Sequence, residues 1–163
     1  GLNNGMIPII SYNYGAQKPD RMKRTMKLGV MVGCSIMVFC LAIMQVFPGQ
    51  ILKIFDATDE MLLMGIPAVR IMSTAFIFAG FSVTCSGMFQ AVGKGVYSMI
   101  VSMARQLFVI LPVAYFLSKA MNSVNGVWAA FPIAEVFSVI ISTIFLLRVY
   151  KKIVKPMESV QRD

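Results

Sequence analysis

The chain contains no histidine among its 163 residues, and aspartate and glutamate together number only seven. Histidine is the side chain that most readily exchanges protons near neutral pH, so proton movement here would depend on carboxylates. The three cysteines, Cys34, Cys40 and Cys85, lie in apolar sequence and include no C-x-x-C pair. These features argue against a disulfide framework and against a zinc site. No apolar stretch offers paired carboxylates or a nucleophile beside a base, which argues against an enzyme.

Charge of either sign is also scarce. Only 13% of the residues are charged and 58% are hydrophobic. In soluble domains about 25% of the residues are charged and about 45–50% are apolar. Four windows with little charge, near 28–47, 61–92, 97–117 and 126–147, reach the roughly 20 residues that a helix needs to cross the bilayer. Residues 1–16 read as the tail of another such helix. We predict an all-α, polytopic membrane helical bundle with one partial and four complete transmembrane helices.

The charges that remain are mostly positive and lie between the windows. The formal net charge is +8, and the cations cluster in residues 18–27, in the turn 93–95 and in the tail 148–163. The connection 50–60 is net acidic. Cytoplasmic loops carry an excess of lysine and arginine, so we predict that the three basic regions are cytoplasmic. The same distribution argues against nucleic-acid binding, which needs basic residues gathered on one face of a soluble domain.

Glu135 is the only acidic residue within any of the apolar windows, and it follows Pro132 by about one helical turn. An ionisable group within the membrane is costly and usually faces a cavity or a partner. Glu135 is therefore a candidate for binding a substrate or an ion. A structural ion pair with Arg105 or Arg70 is the alternative.

Four further polar residues within the predicted helices are candidates for binding a substrate or an ion. Arg70 either binds a ligand or extends its side chain to the membrane surface, and Arg105 either reaches that surface or pairs with an acid. The amides of Asn13 and Gln90 either face a polar cavity or form hydrogen bonds between helices. No set of metal ligands is evident from the sequence.

Gly29 and Gly33 form a G-x-x-x-G pattern in the second predicted helix. Small residues at this spacing allow the backbones of two membrane helices to approach closely. The pattern is common by chance, but it predicts that this face of the helix packs against another helix.

Three stretches, taken together and in this order, resemble the MATE family of multidrug and toxic compound extrusion transporters. Residues 8–17, PIISYNYGAQ, resemble the end of the eighth helix of that family. Residues 86–94, SGMFQAVGK, followed by Arg105-Gln106, resemble its tenth helix, inner turn and eleventh helix. Residues 126–135, GVWAAFPIAE, are similar to its twelfth helix, especially in the bacterial MepA-like branch.

The resemblance implies twelve helices in two bundles of six, with this chain forming the C-terminal part of the second bundle. It implies export of organic, often cationic compounds in exchange for sodium ions or protons, without an organic cofactor, in the plasma membrane of a bacterium. The implied partners are membrane lipids, the exported compounds and the N-terminal part of the same transporter. Some branches carry an acid in the tenth helix for the coupling ion. This sequence has no acidic residue around Ala79 and Gly80, so either a sodium ion or a proton could be the coupling ion.

Two other functions are compatible with these features. A lipid-linked oligosaccharide flippase of the same superfamily would need several cations to hold a pyrophosphate, and the windows contain only Arg70 and Arg105. A stand-alone membrane scaffold or subunit would act through helix packing alone. The chain opens on Gly1 within an apolar segment, without a basic leader region or a small-residue cleavage pattern. We therefore expect it to be part of a longer protein.

Overall fold

The computed structural model describes residues 1–160, and this part of the chain contains nine α-helices and two π-helical segments but no strand. The predicted all-α class is confirmed. In chain order, the helices are α1 (Leu2–Gly15), α2 (Pro19–Val46), α3 (Pro48–Ile54), α4 (Asp59–Ser73), α5 (Phe76–Ala91), α6 (Gly95–Met103), the π-helical segment Ala104–Ile110, α7 (Leu111–Met121), α8 (Asn125–Val149), the π-helical segment Tyr150–Val154 and α9 (Lys155–Val160).

Within residues 1–160, three continuous helical stretches are long and apolar enough to cross a membrane. They are Pro19–Val46, Gly95–Met121 and Asn125–Ser159, of 28, 27 and 35 residues. Helices α4 and α5 qualify as a fourth span when taken together, but their axes are bent by 54°. The window predicted as one helix over 61–92 is thus a broken span.

Both basic flanks of the chain are helical and meet at one end of the bundle. Helix α2 begins at Pro19, well before its apolar window, with proline in the first turn and Asp20 near the positive end of the helix dipole. At the other end of the chain, the helix continues past Val149 into α9. Lys23 Nζ lies 2.9 Å from Asp20 Oδ1 and 2.7 Å from Glu158 Oε1. This contact places the two flanks on the same side of the membrane, as the charge pattern predicts.

The core near this end is aromatic. The ring of Phe89 packs edge-on against Tyr97 and Phe145, whose own rings stack 4.4 Å apart. Phe89 is fully buried. Aromatic pairs in these arrangements add to the stabilisation that comes from apolar burial. The cluster joins α5, α6 and α8.

Helices α2 and α5 approach so closely that only glycine fits at their crossing. A Cβ atom on Gly80 would lie 3.0 Å from the Cα atom of Cys34 and 3.1 Å from the carbonyl oxygen of Gly33. A Cβ atom on Gly33 would lie 2.7 Å from Thr84 Oγ1. These neighbours are largely backbone, which cannot move aside without separating the helices. The packing face predicted from the G-x-x-x-G pattern is present.

We expect Gly80→Ala to destabilise the full-length protein by about 1–3 kcal/mol, because the added methyl group meets backbone atoms. Thermal unfolding of the detergent-solubilised protein would measure the change as a lower midpoint. Gly95→Ala is the matched control, since a Cβ atom there meets nothing within 4 Å. Equal midpoints for the two variants would contradict the close approach of α2 and α5.

Candidate functional site: a cavity at a broken helix

The break between α4 and α5 lies at Thr74 and Ala75. The backbone N–H groups of these residues donate to the carbonyls of Ile71 and Met72, three residues earlier, instead of four. The Thr74 hydroxyl also donates to the Ile71 carbonyl, at 2.7 Å. A change to i→i+3 bonding tightens the helix locally and is a recognised cause of a sharp bend. The break is therefore built into the backbone hydrogen bonding.

Gln45, from α2, completes the hydrogen bonding at the break. Its Nε2 donates to the carbonyl of Arg70 at 2.8 Å and to Ser73 Oγ at 3.0 Å. The Ser73 hydroxyl donates in turn to the Arg70 carbonyl, at 3.1 Å. Within hydrocarbon, a carbonyl that loses its helical partner needs another donor from the protein. Gln45 and the Ser73 hydroxyl are both such donors, so a side chain from a neighbouring helix takes part in the hydrogen bonding at the break.

A cavity of about 300 Å³ lies against this break. Such a volume is at the lower end of the range for small-molecule pockets. Its walls come from α2, from both halves of the broken span, from the end of the π-helical segment and from α8. The lining residues are Met44, Val69, Met72, Ser73, Ala75, Phe76, Ala79, Ile110, Phe131 and Glu135. The lining is apolar except for one hydroxyl and one carboxylate.

The carboxylate of Glu135 is paired with Arg105 through one of its two oxygens. Arg105 Nη1 donates to Glu135 Oε1 at 2.6 Å, and Glu135 as a residue is only 8% exposed. The other oxygen, Oε2, is buried and has no hydrogen-bond partner among residues 1–160. A buried acceptor without a partner is energetically unfavourable. The site therefore presents an unused acceptor on a residue that lines the cavity.

The two partners of this pair stand on differently built helices. Glu135 lies on α8 between the buried residues Ala134 and Ser138, and the Ser138 hydroxyl donates to the Ala134 carbonyl at 3.0 Å. Arg105 lies on the π-helical segment Ala104–Ile110. Short π-helical insertions interrupt the regular α-helical register and are frequent at functional sites. Glu135 therefore lies on the more regular helix of the two, and Arg105 on the less regular one.

The other three candidates from the sequence lie apart from this cavity. Arg70 is exposed, and only its backbone carbonyl takes part in the bonding around the break. Gln90 is exposed and donates from Nε2 to Ser98 Oγ at 3.1 Å, across the turn between α5 and α6. Asn13 is buried on α1, which contributes no residue to the cavity lining. Roles for these residues in binding stay predictions.

Two residues of the site were not among the candidates, Gln45 and Ser73. Gln45 is the only amide side chain within the window 28–47, which is a signal that could have identified it. Ser73 gives no comparable signal, because serine is common in membrane helices. Residues 1–160 contain no group of three or more cysteine, aspartate or glutamate side chains placed to hold a metal ion.

A family model described as MatE matches residues 1–116 of the chain. The chain is 27% identical over 129 residues to the Multidrug export protein MepA of Staphylococcus haemolyticus (strain JCSC1435), covering 79% of this chain and 28% of that protein. It is 28% identical over 135 residues to the protein of the same name from Staphylococcus aureus (strain bovine RF122 / ET3-1), covering 83% of this chain and 29% of that protein. The chain thus spans less than a third of the length of these relatives.

Solved structures share the fold. The MATE multidrug transporter DinF-BH, solved as a complex, superposes with a TM-score of 0.83 at 32% identity, over 94% of this chain and 34% of that one. An inward-facing MATE family transporter of the MOP superfamily superposes with a TM-score of 0.84 at 18% identity, over 96% of this chain and 36% of that one. An outward-facing transporter of the same family superposes with a TM-score of 0.84 at 18% identity, over 96% of this chain and 35% of that one.

We expect Gln45→Leu to straighten the broken span, because the Arg70 carbonyl and Ser73 Oγ lose the hydrogen bonds that Gln45 donates and only the Ser73 hydroxyl still donates to that carbonyl. Spin labels at positions 63 and 83 of the cysteine-free, full-length protein would report this change by pulsed EPR. A straight helix places these positions about 30 Å apart, and the bend of 54° shortens that by roughly 3 Å. The variant should recover the longer distance.

Gln50→Leu is the matched control for this measurement, because Gln50 is exposed on α3. Its label distance should equal that of the wild type. A Gln45→Leu variant that keeps the shorter distance would show that Gln45 does not hold the break.

Proposed function

The chain belongs to the MatE family, and we propose that it is part of a transporter that exports organic, often cationic compounds in exchange for sodium ions or protons. Membership in the family confirms the resemblance found in the sequence. The relatives named Multidrug export protein MepA support the proposed activity. In this proposal the transporter lies in a bacterial plasma membrane, contacts its lipids and needs no organic cofactor or covalent step. The rest of a longer transporter acts together with this chain.

One observation carries the proposal, namely the unpartnered Oε2 atom of Glu135 on a residue that lines an otherwise apolar cavity. A ligand with an apolar body removes water from Met72, Phe76 and Phe131, and burial of apolar surface is favourable. A positive or hydrogen-bond-donating group on that ligand satisfies the carboxylate oxygen. The cavity thus favours compounds that combine an apolar body with a cationic or hydrogen-bond-donating group.

The single carboxylate in the cavity lining supports the proposed exchange for a sodium ion or a proton. A sodium ion, a proton and an organic cation all bind to carboxylate oxygens, and a single carboxylate neutralises only one of them at a time. A cation that enters from outside therefore favours release of the compound already bound, which is mutual exclusion between two ligands. In this proposal, Glu135 is the residue over which substrate and coupling ion compete.

The flippase alternative gains no support from the site. A pyrophosphate needs free cations, but Arg105 is paired with Glu135 and Arg70 is exposed away from the cavity. Among the described lining residues, the only ionisable side chain is an acid.

We expect Glu135→Gln to lower the rate of ethidium efflux by about tenfold or more, because a hydrogen bond to a charged group contributes about 1.5–3 kcal/mol. The assay compares cells of a drug-sensitive bacterial strain that express the full-length protein at equal membrane levels. Glu158→Gln is the matched control, because Glu158 pairs with Lys23 outside the cavity. Unchanged efflux by Glu135→Gln would remove Glu135 from the proposed mechanism.

A further inference from the structure

We propose that Arg105 is a tethered competitor for the ligand site: its guanidinium holds Glu135 while the cavity is empty and leaves when an organic cation binds. This inference rests on the proposed function and adds a specificity-determining residue to it. The charges of the Arg105–Glu135 pair cancel, with Nη1 and Oε1 separated by 2.6 Å.

The charge of the pair decides between two ways of binding. If Arg105 stayed in place, an organic cation at Oε2 would leave a net positive charge in an apolar cavity. Two like charges about 4 Å apart repel strongly enough, at an effective dielectric constant of about 20, to change affinity by about a thousandfold. If Arg105 leaves, the carboxylate and the ligand form a neutral pair of their own. A bound cation is therefore favoured only when the guanidinium is displaced.

The two side chains differ in how readily they can separate. The Arg105 side chain is 28% exposed, whereas that of Glu135 is 11% exposed. An arginine side chain is long and can keep its charged end in a wetter environment. Its backbone lies on the π-helical segment Ala104–Ile110, where a change to α-helical bonding would turn the side chain around the helix axis. Arg105 is the partner that can move.

A different ligand class would follow if Arg105 stayed in place. The unpartnered Oε2 would then accept a hydrogen bond from an uncharged donor, and cations would have no advantage over neutral molecules of the same shape. The two models therefore make opposite predictions for a cation and a neutral compound with the same ring system. Ethidium and dihydroethidium are such a pair.

The test measures equilibrium binding of both compounds, by fluorescence and without oxygen, to the purified full-length protein in lipid nanodiscs. Arg105→Gln should bind ethidium about tenfold more tightly, since it removes the competing charge, while its affinity for dihydroethidium stays within about twofold of the wild type. Arg24→Gln is the matched control, because Arg24 is exposed and does not line the cavity, and it should change neither affinity. Weaker or unchanged ethidium binding by Arg105→Gln would overturn the proposal.

A measurement on the wild type covers the case in which Arg105→Gln does not fold. Phenylglyoxal modifies accessible guanidinium groups, and mass spectrometry reports its rate of reaction at Arg105 relative to Arg24, which is exposed outside the cavity. Saturating ethidium should raise that ratio, because the displaced guanidinium loses its carboxylate partner. A lower or unchanged ratio would overturn the proposal.

These outcomes separate the inference from the function on which it rests. Wild-type protein that binds ethidium and loses this binding in Glu135→Gln supports the proposed function whatever Arg105 does. A full-length protein that neither binds nor exports ethidium overturns both proposals together.

Discussion

Within hydrocarbon, every polar group of the protein must find its partner in the protein itself, and this constraint explains the arrangement of the site. The broken span leaves the carbonyl of Arg70 in need of a donor, and Gln45 from α2 and the Ser73 hydroxyl provide it at 2.8 Å and 3.1 Å. The span is bent by 54° at this point, and Ser73, Ala75 and Phe76 at the bend line the cavity. Glu135 lines the same cavity from α8. The hydrogen-bonded break and the acid therefore meet at one cavity.

The ion pair between Arg105 and Glu135 follows the same constraint but satisfies it only in part. A carboxylate so deep within a membrane protein needs a compensating charge, and Arg105 supplies it to one oxygen. A buried ion pair is in general weak evidence for stability, because removal of both charges from water opposes their attraction. A pair that leaves one oxygen without a partner is even less well explained by stability. The pair lies on the wall of an apolar cavity, and the proposed ligand would supply the missing partner.

Much of the fold could be predicted from composition because the bilayer imposes length and apolar content on each crossing. The windows, the all-α class and the close packing at Gly33 depend on local sequence. The structure contains the all-α class, the close packing and three of the four windows as continuous helical spans. The break was not predicted, since Ser73 and Thr74 are unremarkable in a membrane helix and the donor that holds it, Gln45, comes from another helix. The sequence offered both Arg70 and Arg105 as partners for Glu135. The choice between them depends on helix register and on the π-helical segment at Arg105, which sequence patterns do not reveal.

The central claim is that the cavity at the broken span binds an organic cation through Glu135. A cryo-EM structure of the full-length protein in lipid nanodiscs with ethidium bound tests it most directly. The account predicts ethidium density between Phe76, Phe131 and Glu135, with the guanidinium of Arg105 turned away from the carboxylate. Ethidium bound elsewhere, with the Arg105–Glu135 pair intact and the cavity empty, would contradict it.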